Sequence, residues 1–111
     1  MQKKKTKVLS DALIEEAARL FGILSEPSRL KLLRALMSGD MNVSELIAAT
    51  GMKQGNVSKH LSVLLGARFV AREREGNFAR YTIADPRLRD LCELMCTRIE
   101  ENTRQLAATL G

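Results

Sequence analysis

Residues 42–65 read NVSELIAATGMKQGNVSKHLSVLL, and this stretch decides the fold. Asn42 and Glu45 are spaced as a capping box, which opens a short helix. Gly51 stops that helix, because glycine reaches the left-handed backbone of a helix end without steric cost. A second helix then runs from near Lys53 to near Gly66. On its wheel Val57, Leu61, Leu64 and Leu65 share one face. Gly55, Asn56, Lys59, Ser62 and Val63 lie opposite, with Ser58 and His60 on the flanks. The pair reads as a helix-turn-helix whose second helix keeps one polar face out of the core.

Outward from this stretch, residues 10–24 predict a helix capped by Ser10, with Leu13, Ala17, Leu20, Phe21 and Leu24 at three-to-four spacing. Pro27 suits a first helical turn. A second helix therefore runs to about Ser38 through Leu30, Leu33, Leu36 and Met37, and Gly39-Asp40 ends it. Residues 69–75 and 78–83 flank Gly76-Asn77 and predict a hairpin. Asp85-Pro86 breaks the second strand and starts a long helix over residues 86–110. The expected class is mostly α with a small β-hairpin. The architecture is a winged helix-turn-helix with an extra helix at each end, filling residues 1–111 as a single domain.

The chain has 111 residues, a formal net charge of +5, two Cys and one His, and a pI of about 9.6. A domain this small has a modest core, so burial in a dimer would help it. The basic balance favours a polyanionic partner. Lys3, Lys4, Lys5 and Lys7 form either a solvated terminus or a phosphate-contacting arm. No apolar run approaches the ~18 residues of a membrane span, and none follows the N-terminal lysines as a signal peptide would. Two Cys without such a signal point to reduced thiols in a cytoplasm. One His excludes zinc sites built from several His of one chain. No Ser-His-Asp grouping, phosphate loop or carboxylate pair suggests an enzyme.

The polar face of the second helix of the motif can donate to base acceptors, pair with adenine edges or hold phosphates. The candidate DNA contacts there are Gln54, Asn56, Ser58, Lys59 and His60, with Gln54 in the first turn, where such helices commonly meet bases. On the hairpin they are Arg72, Arg74, Asn77 and Arg80. Arg72 and Arg74 alternate along a strand and so share a face, able to straddle a minor groove or grip phosphates. Glu73 and Glu75 alternate with them and either face inward or pair with them, in which case the wing only solubilises. Tyr81 and Ile83 are expected to pack inward. A winged-helix protein-interaction module, without steep salt dependence of DNA binding, is the competing function.

With these parts placed, the chain closely resembles the ArsR/SmtB family of bacterial repressors over nearly its whole length. The most specific segments are SEPSRLKLL (25–33), VSKHL (57–61) and REREGNFARY (72–81). The resemblance implies a homodimer joined by the first and last helices, bound to a double-stranded operator and released by an effector. Two-fold symmetry makes that operator an imperfect palindrome. It also implies metal-site positions that this chain has lost. Asn42 and Ser44 stand where a thiol box has Cys. Asp85, Arg87, Arg98 and Glu101 stand at the interface zinc site, and guanidinium does not ligate a metal. Arg34 replaces the second-helix Cys of persulfide sensors. Lys53 stands at a usual capping Ser and Arg68 at a usual turn Gly.

Cys92 and Cys96 remain, four apart on one side of the last helix. The stripe of Leu88, Cys92, Met95, Ile99 and Leu106 runs through the first of them. They are either small apolar residues of a dimer core or a thiol sensor at the interface. A bridge between them is awkward, because helical Cβ atoms about 5–6 Å apart exceed the ~3.8 Å of a disulfide. Cross-subunit bonding, or a thiophilic ion such as As(III) or Cu(I), strains the helix less.

Overall fold

A computed structural model describes residues 9–110. Lys3, Lys4, Lys5 and Lys7 lie outside the described residues. The order is α1 (Asp11–Leu24), α2 (Pro27–Met37), α3 (Val43–Thr50), α4 (Gln54–Gly66), β1 (Val70–Glu75), β2 (Phe78–Ile83) and α5 (Arg87–Leu110).

Local chemistry accounts for most boundaries. The Ser10 hydroxyl accepts from the Leu13 amide at 3.1 Å and caps α1. Glu26 caps α2: its carboxylate accepts from the Arg29 amide at 3.2 Å, and Pro27 occupies the first turn. Asn42 and Glu45 exchange both capping-box bonds, at 2.8 and 3.0 Å. Gly51 ends α3 at φ 71°, and Gly76 turns the hairpin at φ 61°.

The end of α4 departs from rule. The Phe69 amide donates to the Leu64 carbonyl and the Arg68 amide to Leu65, both at 3.0 Å. This is the Schellman pattern, which wants glycine at its left-handed position. Arg68 holds that position instead, at φ 64°.

Leu32, Leu33, Leu36, Leu46, Val57, Leu61, Leu64, Val70, Tyr81 and Leu88 form the core, where α2, α3 and α4 meet the base of the hairpin. Met41 adds a one-residue third strand: its amide donates to the Tyr81 carbonyl at 3.1 Å and its carbonyl accepts from Tyr81 at 2.8 Å. That pair ties the hairpin to the residues leading into α3.

The end helices behave differently. No residue of α1 is buried. On α5, Leu88 is 5% exposed and belongs to the core of its own chain. From residue 93 to residue 109 every side chain is exposed, including Leu94, Met95, Ile99 and Leu106. The expected stripe on α5 therefore splits: Leu88 faces inward, and the apolar residues beyond Cys92 face away from this chain. Among the described residues no helix is long and apolar enough to cross a membrane.

Candidate DNA-binding surface

The surface begins with how α4 is seated. Val57, His60, Leu61 and Leu64 recur at i, i+3, i+4 and i+7, and all are buried against the core. That leaves Gln54, Gly55, Asn56, Ser58, Lys59 and Ser62 exposed together along the opposite side. Lys53 occupies the N-cap without a side-chain hydrogen bond to the first turn. The amides there keep their donors for water or an anion.

His60 departs from the expected set. The sequence places it among the candidate DNA contacts, but it is 9% exposed and turned into the protein. Its Nδ1 accepts from Arg29 Nε at 3.2 Å, and its Nε2 lies 3.8 Å from the Glu26 carboxylate. A flank position on a helical wheel faces solvent or protein according to what packs beside it. Here the start of α2 covers it.

On the wing, Val70 pairs with Ile83, Arg72 with Tyr81 and Arg74 with Ala79. Cross-strand partners share a face, so both arginines lie on the face whose base, Val70 and Tyr81, enters the core. Glu73 pairs with Arg80 and Glu75 with Phe78 on the other face. Glu75 lies 3.4 Å from Arg80. The acidic residues thus neither face inward nor pair with Arg72 and Arg74. Among the described residues, no carboxylate is within ion-pair distance of those two guanidiniums. With Asn77, Phe78 and Ala79 they line a shallow concavity of about 390 Å³.

Arg80 is the second departure. Its Nη2 donates to the Asp40 carbonyl at 2.7 Å, and its Nη1 lies 3.4 Å from Glu45. With Glu75 on its Nε side, the guanidinium braces the wing against the entry to α3 and is committed within the protein. Phe78, 64% exposed at the wing tip, was missed as a surface residue. Strand alternation held the signal: with Tyr81 inward, residues 80 and 78 belong to the opposite face.

The remaining candidates lie on α5. Cys92 is half-buried and Cys96 exposed. Burial pushes the Cys92 thiol up, and the neighbouring Cys96 adds to the shift. Of the positions implied by a zinc site, Asp85 is engaged by Arg87, with Nη2 to Oδ2 at 2.8 Å. Hydrogen bonds from the Arg87 side chain and backbone hold the Asp85 carboxyl down at about 2. Among the described residues no three His, Cys, Asp or Glu side chains gather as a metal site.

Known proteins share this arrangement. The model of a family described as "Bacterial regulatory protein, arsR family" matches residues 26–72, from the cap of α2 into β1. Over 92 residues the chain is 36% identical to a probable mercury resistance operon repressor of Streptomyces lividans, spanning 83% of this chain and 74% of that one. The crystal structure of the AntR antimony-specific transcriptional repressor superposes with a TM-score of 0.77 at 36% identity, covering 91% of this chain and 92% of that one. A homodimeric winged helix-turn-helix DNA-binding domain from Mycobacterium bovis also superposes at 0.77, with 30% identity over 86% of this chain and 92% of its own. The chain belongs to the ArsR family of bacterial regulatory proteins, as a winged helix-turn-helix transcriptional regulator.

Proposed function

We propose that this regulator is a cytoplasmic homodimeric repressor that holds a palindromic operator and leaves it when an effector binds α5. One observation carries the reading: two unsatisfied surfaces occur on the same small chain. The first is the polar side of α4 beside the unpaired Arg72 and Arg74. The second is the α5 stretch over residues 93–109, wholly exposed yet carrying Leu94, Met95, Ile99 and Leu106. Apolar side chains in that density want a partner, and α1, with Phe21 58% exposed, offers a second such surface. Two-fold pairing sets two α4 helices to read half-sites about one helical turn apart.

In this scheme Gln54, Asn56 and Ser58 read bases. Lys59, Arg72 and Arg74 hold phosphates, and Asn77 meets the groove at the wing tip. The effector we favour is a thiophilic ion at Cys92 and Cys96. Burial disfavours the Cys92 thiolate, so Cys92 is a poor nucleophile towards oxidants. A soft cation displaces the thiol proton outright on coordination, and exposed Cys96 gives it entry. Two chains paired near the middle of α5 would offer four thiols. One relative is named as a probable repressor of a mercury resistance operon and another as antimony-specific, and both elements suit soft sulfur ligands.

Selection of duplexes from random sequence, followed by footprinting, tests the central claim. The expected product is an imperfect palindrome protected on two successive turns by a dimer. Recovery of a lone half-site, or of no preferred sequence, would refute it.

A further inference from the structure

The DNA-binding surface leaves His60 unused, and its contacts are unusual for a residue on the helix that reads DNA. Its Nδ1 accepts from Arg29 Nε at 3.2 Å. Arg29 Nη1 donates to the Ile23 carbonyl, in the last turn of α1, at 3.1 Å. Glu26, the cap of α2, lies 3.8 Å from the other ring nitrogen. Arginine keeps its charge and has donors only. The Arg29 contact therefore requires a bare Nδ1, and the proton of the neutral ring sits on Nε2, facing Glu26. A single chain of contacts runs from α4 through the first turn of α2 to the end of α1.

We propose that His60 is a positioning residue that seats the recognition helix against the α1–α2 junction, and that only its neutral form does so. The inference rests on reading α4 as the DNA-reading helix. A second proton removes the acceptor, sets an imidazolium against the Arg29 guanidinium and strengthens the pull of Glu26. Partners exchange, and the link from α4 to α1 through Arg29 is lost. Lys31 and Arg34 on α2 are exposed, and among the described residues no charged side chain other than Arg29 and Glu26 is within hydrogen-bond or ion-pair distance of His60. The ionisable residue of α3, Glu45, is engaged with Arg80. Lys59 on α4 is exposed, as are Arg72, Glu73, Arg74 and Glu75 on β1 and Asp11, Glu15, Glu16 and Arg19 on α1. Proton binding and operator binding therefore oppose each other, and operator affinity falls as pH falls. His60 is the single His of the chain, so the imidazole signal is unambiguous.

The test titrates the full chain with a duplex selected by the protein itself from random sequence at pH 8. Between about pH 8 and pH 5.5 the wild-type Kd should rise about tenfold. His60→Asn places an amide oxygen near the Nδ1 site and does not titrate. It should bind as wild type at pH 8 and lose the rise. Glu26→Gln keeps the cap but removes the carboxylate that favours the imidazolium, so it should move the rise to lower pH; it serves if His60→Asn fails to fold. The ring ¹⁵N spectrum should show the Nε2–H tautomer at pH 8 without DNA. A flat wild-type profile, an undiminished rise in both variants, or an Nδ1–H tautomer overturns the proposal and leaves DNA reading intact. Failure to select any duplex refutes DNA reading by α4 and the proposal with it.

Discussion

Ile99 is the most direct probe of how this chain completes itself. It is 59% exposed on a stretch of α5 with no support from its own protomer. Full burial of such a side chain is worth about 1.5–3 kcal/mol relative to exposure. Burial of the exposed fraction in a partner thus contributes about 1–2 kcal/mol per chain, and symmetry doubles it. Ile99→Ala should weaken the dimer by about 2–4 kcal/mol, which is roughly 30- to 1000-fold in dimer Kd. Sedimentation across a concentration series reads that change. Protomer stability should barely move, since nothing in the core loses a contact. Leu88 is the contrast. Because it is 5% exposed, Leu88→Ala should cost about 2–5 kcal/mol of folding stability whatever the oligomer. Glutamate there would test folding, not assembly. An Ile99→Ala protein whose dimer Kd stays within threefold of wild type would refute the assignment of this face to a second copy.

Asn56→Ala should cost about 1–3 kcal/mol at its own base pair, whereas Arg72→Ala should weaken all duplexes alike and lower the salt slope by roughly one unit. Equal losses on matched and mismatched duplexes for Asn56→Ala would contradict base reading. Arg68→Gly removes a left-handed side chain that costs about 1–2 kcal/mol, less the roughly 0.5–1 kcal/mol that glycine's freedom in the unfolded chain takes back. Urea unfolding should therefore show a net gain of up to about 1.5 kcal/mol, and a loss would mean that the Arg68 side chain does more than cap α4. Cys92→Ser with Cys96→Ser should bind operator normally and ignore mercuric or trivalent antimony ions that release the wild type. Equal release from both would assign the cysteines to packing.

Much of this molecule is written in short-range chemistry. Asn42 with Glu45, Pro27, Gly51 and the Gly76-Asn77 turn each act within four residues, so the order of elements and the seam between α3 and α4 follow from neighbours in sequence. The same periodicity orders the side chains around α4 and picks Gln54, Asn56, Ser58 and Lys59 for the outside. It does not set how wide the buried sector is, because that depends on which helices close over it. His60 lies on the flank and is claimed by Arg29, 31 residues away. Arg80 resembles its neighbours on the wing, yet a carbonyl 40 residues upstream holds it. Leu88 and Ile99 share one apolar stripe, but α5 leaves the core between them. The Met41–Tyr81 bridge is equally invisible in a one-residue strand. Local sequence determined what each segment becomes and which way its side chains are ordered. Only the packing of distant segments decided which of those side chains are left free to meet a partner, because burial and ion pairing at each flank are set by neighbours in space.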